Sequence, residues 1–268
     1  MKLTRQEFLT ILGTVAAGVP SGAFAQSPGQ KPTAPSSGQK PAPAARPHPE
    51  SAEAAGEMSF AQSGEDLIVN YMLHYLQIPK ITYLDVGAHD PVAINNTYFF
   101  YRRGFRGVLV EPNVEMTKKL RAVRPGDTTL EAGIGVTAAR AADYYIMTDS
   151  AWNTFSKQEA RHMTSVTGGR IKVERVIKMP MLNINEVMSK HFGGAPTFVS
   201  VDTEGMDLAI LKTIEFKRFR PQVICAETLV VGTRKQVPDI AAFMQAQNYV
   251  VRGESFVNTI FVDGSLIV

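Results

Sequence analysis

The chain predicts a doubly wound α/β fold, and three features of its pattern carry that expectation. Short apolar runs alternate with amphipathic segments through most of residues 58–268, the rhythm of strands joined by helices. Four of those runs end in or at a carboxylate: 81–86 carries Asp85, 105–110 meets Glu111, 197–201 stops at Asp202 and 222–226 at Glu227. The last two runs, 249–251 and 258–262, have no helix between them, which fits an antiparallel edge hairpin. In such sheets ligands bind just outside the carboxyl ends of the parallel strands, so the acids are expected to share one edge.

Length and composition set the frame. With 268 residues, 44% hydrophobic and 20% charged, the chain can bury one substantial core and still leave a tail. A net charge of +3 is too small to suggest a nucleic-acid partner held by charge. A single cysteine, Cys225, excludes an intrachain disulfide framework, and its apolar run predicts a small buried hydrophobe.

Residues 1–25 read as a targeting segment: Lys2 and Arg5, a short apolar run over 8–19, then Ala23-Phe24-Ala25 before Gln26. The run is too short for a stable membrane span. Thr4-Arg5-Gln6-Glu7-Phe8-Leu9 resembles a twin-arginine export motif, with Gln6 where the second arginine belongs. Either that route or the general secretory one predicts an exported, periplasmic protein; a cytoplasmic one follows if the segment is not a functional signal. Residues 26–57 contain no aromatic residue and no Ile, Leu, Val or Met, and hold seven of the sixteen prolines. With nothing to bury, they predict a disordered spacer before a domain over 58–268.

The elements follow in order. Ser63 can cap a helix carrying Leu67, Ile68, Tyr71, Met72, Tyr75 and Leu76 on one face, with Pro79 ending it. After the first strand a short helix spans 96–103, closed by Gly104. Asn113 caps a helix that stops at Pro125-Gly126, and a third strand covers 128–134. Residues 140–182 break the rhythm: 143–147 and 171–181 are β-rich, with Gly168-Gly169 as the turn between them. This β-rich insertion should hang over the strand tips and shape an acceptor pocket. Trp152 in its 149–156 loop is expected to pack, with acceptor contact as the alternative. Helices over 184–191, 206–212 and 240–247 then alternate with the remaining strands.

The chemistry begins at Tyr83-Leu84-Asp85-Val86-Gly87-Ala88-His89-Asp90-Pro91. Asp85 stands at the lip of the first strand, and Gly87 lets backbone come close to whatever lies there. Glu111, at the second strand tip, can accept hydrogen bonds from a ribose diol. A dinucleotide fingerprint needs three glycines to hold a pyrophosphate, and here there is one, flanked by acids that repel phosphate. S-adenosylmethionine has no phosphate and carries a sulfonium and an ammonium, which an acidic lip favours. The alternative is that Asp85 only caps the next helix.

Five blocks then resemble the FkbM family of methyltransferases: Ser59-Phe60-Ala61-Gln62-Ser63-Gly64-Glu65-Asp66, Leu84 to Asp90, Val110-Glu111-Pro112-Asn113, Val201-Asp202-Thr203-Glu204-Gly205, and Arg220 to Glu227. The resemblance runs from about Ser59 to the C-terminus, with the blocks in the family's order. It implies a Rossmann-like, class I methyltransferase sheet, S-adenosylmethionine as cofactor and, usually, O-methylation. It places Asp85, Val86, Gly87, Ala88, Glu111, Pro112 and Asn113 around the cofactor and Ile134 under the adenine ring. It lays the opening helix, with Gln62, Glu65 and Asp66, across the cofactor edge.

Asp202, Glu204 and Glu227 should converge beside the methyl group. Methyl transfer from a sulfonium is largely a matter of alignment, but an aliphatic hydroxyl must lose its proton as it attacks. A carboxylate within hydrogen-bond reach can take it. Two or three acids could instead hold a divalent metal, which oxygen ligands suit; the base is preferred because the ligands are few. Asp202 and Glu204 could also simply cap the next helix. The expected acceptor is a hydroxyl on a sugar, glycan or small metabolite. An exported binding module that keeps the fold without turnover is the alternative.

Overall fold

The computed structural model describes residues 57–229 and 238–267. The expected targeting segment, residues 1–25, and nearly all of the expected spacer, residues 26–57, therefore lie outside the described residues. Among these, no helix is long and apolar enough to cross a membrane.

Residues 58–268 form one compact unit around a seven-stranded sheet, in the order β3-β2-β1-β7-β8-β10-β9. The strands are β1 Thr82–Val86, β2 Arg106–Val110, β3 Thr128–Leu130, β7 Phe198–Val201, β8 Val223–Glu227, β9 Tyr249–Glu254 and β10 Asn258–Asp263. The first five run parallel, and β10 pairs antiparallel with both β8 and β9. This is the mostly parallel α/β sheet with an antiparallel edge that the sequence predicts.

Strand alternation gives the sheet two apolar faces. Leu84 and Val86 of β1 face one core with Ile184, Val187 and Met188 of the helix Ile184–Phe192 and Met244 of the helix Pro238–Ala246. Tyr83 faces the other, with Val69 and Leu73 of the helix Glu65–Tyr75, Phe100 of Tyr98–Arg102 and Leu120 of Val114–Val123. Cys225 is buried in that second core. Helices thus cover both sides, as βαβ crossovers require.

Three local expectations need correction. The opening helix buries Val69, Met72 and Leu73, while Tyr71 and Tyr75 are exposed, and its N-cap is Gly64 at φ 90 in place of Ser63. Its buried stripe starts from two acids, Glu65 and Asp66, which apolar periodicity does not count. The third strand does not run through 128–134. It divides into β3 and β4, Gly133–Ile134, and β4 leaves for a second, three-stranded sheet, in which it pairs with β6, Val173–Leu182, and β6 pairs with β5, Ala141–Met147.

The insertion also holds more than two strands and a turn. Between β5, Ala141–Met147, and β6, Val173–Leu182, lies a helix Lys157–Val166. Ser156 caps it by accepting from Glu159 N at 3.1 Å, and the Ser-x-x-Glu spacing is the signal that could have revealed it. Trp152 is buried with Met147, Ala160 and Met163, so it packs.

Candidate active site

The carboxyl edge of β1, β2, β7 and β8 brings the acids together. Asp85 lies beside Leu109 and Ser200 in register, and Ser200 beside Cys225. One carboxylate oxygen from each of Asp202, Glu204 and Glu227 lies within 4.8 Å of the other two. Glu204 and Glu227 are buried, and Asp202 is half-buried. Glu204 holds a left-handed backbone, φ 51, outside the range a non-glycine residue usually adopts. Its carbonyl accepts from Thr154 Oγ1 at 2.8 Å, so the insertion is tied down directly over the trio. Asp207, on the helix after β7, is buried and accepts from Thr203 N; burial and the nearby Asp202 charge raise its pKa.

The first-strand lip is built by packing as much as by openness. Gly87 has φ 87, and a β-carbon there would meet the Asp202 carbonyl oxygen. Val86 is buried, and its carbonyl accepts from Asp202 N at 3.0 Å. Ala88 belongs to the core that packs on the opening helix. The Asp85 carboxylate is buried and accepts from Thr97 Oγ1 at 2.6 Å; burial, only partly offset by that bond, pushes its pKa up to about 6.

Glu111 accepts from His89 N at 2.8 Å and Asn113 N at 2.6 Å, and so ties the loop after β1 to the loop after β2. It is almost fully buried, which pushes its pKa up to about 7 against those two backbone bonds. Pro112 is buried beside it, and Asn113 caps the next helix through Glu115 N. Ile134 is buried in the core with Leu84 and Val110.

In the opening segment, Asp66 accepts from Ser59 Oγ and from the amides of Phe60, Ala61 and Leu67, which fixes the chain entry. Glu65 accepts from Ser255 Oγ and Asn258 Nδ2, and Asn258 sits opposite Glu227 in the β8–β10 register. The opening helix is therefore fastened to the sheet edge beside the acid trio. The Gln62 side-chain oxygen is buried without a hydrogen-bond partner.

Four residues at this edge escaped the sequence reading. Asn95 and Thr97 follow the lip, Arg124 reaches them from the end of the helix Val114–Val123, and Tyr144 enters from β5. Tyr144 is buried, packs against Phe155 with the rings tilted by 39° and their centroids 4.7 Å apart, and feels the charges of both Glu111 and Glu204. Burial is the larger cause of its raised pKa. The Asn95-Asn96-Thr97 run, polar just ahead of an apolar helix, was the available signal for the first two.

The insertion closes on the lip as well: His89 Nε2 lies 3.3 Å from Ser150 Oγ. The arrangement therefore sets the buried acids of the β1 and β2 tips on the same sheet edge as three clustered carboxylates.

A family model described as the methyltransferase FkbM domain matches residues 85–251, more than half of the chain. No curated protein matches it. Among solved structures, similarity extends to a TehB-like SAM-dependent methyltransferase from Corynebacterium glutamicum, with 9% identity, a TM-score of 0.39, and 79% of this chain and 91% of that one covered. An O-methyltransferase from Bacillus cereus in complex with SAH gives 11%, 0.39, 77% and 82%. A precorrin-6y C5,15-methyltransferase from Geobacter metallireducens gives 13%, 0.36, 72% and 86%.

Proposed function

This chain belongs to the FkbM methyltransferase family, and from that premise we propose that it moves the methyl group of S-adenosylmethionine to a hydroxyl of a sugar, glycan or small metabolite. The convergence of Asp202, Glu204 and Glu227 beside the β1 lip carries this reading. The cofactor's ribose hydroxyls would donate to Glu111, whose carboxylate is already oriented by two backbone amides. Its sulfonium and ammonium would face the acidic lip at Asp85, whose charge favours cations and disfavours phosphate. The acceptor hydroxyl, aligned with the methyl by the covering insertion, would pass its proton to Asp202 as it attacks.

The same three oxygens are close enough to share one divalent cation, which is the second reading. Chelator treatment of the full chain separates the two, since only a metal site should lose turnover and regain it with magnesium. Residues 1–25 support an exported enzyme, and cell fractionation tests that. Isothermal titration of the full chain with S-adenosylmethionine tests the cofactor: micromolar-range binding is expected, and absence of binding heat would favour a module without turnover.

A further inference from the structure

We propose that Asn95, held in place by Arg124, is a positioning residue for the loop 87–90; this rests on reading that loop as the cofactor lip. Asn95 is 2% exposed, and its Nδ2 donates to Ala88 O at 2.9 Å and to Asp90 O at 3.0 Å. Those two carbonyls straddle His89, which holds a left-handed φ of 47. A non-glycine residue keeps such a conformation only where its surroundings impose it. On the other side of the turn, His89 N donates to Glu111. One side-chain amide and one carboxylate therefore clamp the three-residue turn from opposite sides.

The orientation of that amide is fixed. Asn95 Oδ1 accepts from Thr97 N at 3.0 Å, Tyr98 N at 2.8 Å and Arg124 Nη1 at 3.0 Å. Turning it over would set an oxygen against two carbonyls and an amide against a guanidinium. Arg124 is wholly buried and pairs with Asp127 at 2.8 Å, while Nη2 also donates to Thr97 Oγ1 at 3.0 Å. Thr97 Oγ1 in turn bonds Asp85. Burying a guanidinium is costly, and an apolar side chain would fill the space at less expense. Its polar reach ends on the groups that bound the lip: Asp85 before Gly87, and Ala88 and Asp90 through Asn95.

Without the Asn95 donors the turn relaxes, His89 N moves off Glu111, and the ribose-facing carboxylate loses one of its two fixed donors. The acid trio lies at the ends of β7 and β8, where Asp202 is held by Val86 and Gly87 and not by Asn95. Asn95→Asp retains the Oδ1 acceptor and the shape but removes both donors. Titration of the full chain with S-adenosylmethionine should show a Kd raised tenfold or more, with binding stoichiometry near that of wild type. A merely structural role would lower the melting temperature and the stoichiometry while leaving Kd alone, and that result overturns the proposal. Arg124→Lys is the milder companion should Asn95→Asp fail to fold. Lysine can still meet Asp127 but not Asn95 and Thr97 together, so Kd should rise at least threefold, and an unchanged Kd overturns the proposal equally. Wild-type protein that binds no S-adenosylmethionine would instead sink the cofactor reading, and this inference with it.

Discussion

The carbonyl of Asp202 packs against the α-carbon of Gly87, so closely that a β-carbon on Gly87 would fall 1.9 Å from its oxygen. The contact is locked by Asp202 N donating to Val86 O at 3.0 Å and Gly87 N donating to Val110 O at 2.9 Å. The lip of β1 and the tip of β7 are thus one mechanical unit. The residue proposed to take the proton is positioned by the same backbone that forms the proposed cofactor edge.

Gly87→Ala is expected to destabilise the domain by about 2–5 kcal/mol, from left-handed backbone strain plus forced overpacking. Thermal unfolding checks this. A melting temperature equal to wild type would mean that β1 and β7 can separate at no cost.

Glu111 requires a gentler substitution than alanine. Truncation would strip the His89 and Asn113 amides of their acceptor at a buried site, at about 1–3 kcal/mol each, and so mix stability with affinity. Glu111→Gln keeps one acceptor oxygen and the shape. It should raise the Kd for S-adenosylmethionine tenfold or more, about 1.4 kcal/mol. Unchanged affinity would remove Glu111 from the ribose.

The sheet was legible in the sequence because its central strands, β1, β2, β7 and β8, are compact apolar runs that end in or at a carboxylate. The acids at the strand ends were legible for the same reason. Their surroundings were not. Asp85 and Glu111 read as a lip at the strand tips, and both are buried, because Thr97 reaches Asp85 and the His89 amide reaches Glu111 from segments that only folding brings there. Arg124 stands at a helix end ahead of Pro125, where nothing in the sequence marks it; its burial depends on Asp127, Asn95 and Thr97 together. The sequence predicts one strand over 128–134, and nothing in Thr128-Thr129-Leu130-Glu131-Ala132-Gly133-Ile134 shows that the strand breaks after Leu130. A side chain at Gly133 would strike the Phe155 ring of the insertion.

Acid–base linkage offers a separate check. Burial holds Glu111 up to about 7 and Asp85 up to about 6, against roughly 4 in an unfolded chain. The folded state therefore binds these protons more tightly. Their contribution to stability is complete below the unfolded value and is lost as pH rises through about 6 to 7. Between pH 5 and 8, wild type should lose more stability than Glu111→Gln. Parallel pH profiles of melting temperature would show that Glu111 is ionised at ordinary cost.

Trp152→Ala should cost about 3–5 kcal/mol, because the ring fills the small core between Met147, Ala160 and Met163. Proteolysis or hydrogen exchange should find the loosening in residues 141–182. An unchanged melting temperature together with weakened acceptor binding would return Trp152 to the acceptor pocket.

The acids converging at the β7 and β8 tips are proposed to drive methyl transfer. The most direct measurement is labelled methyl transfer from S-adenosylmethionine into sugars, glycans and small hydroxylated metabolites, comparing the wild-type full chain with Asp202→Asn. Asparagine keeps the shape and the backbone contacts to Val86 and Gly87 but removes the charge and most of the basicity. Turnover should fall by roughly 10²–10⁴, the range for a lost general base, while the Kd for S-adenosylmethionine stays within about threefold. Near-full turnover by Asp202→Asn at saturating acceptor would exclude Asp202 as the base and leave it as a residue that only ends a strand.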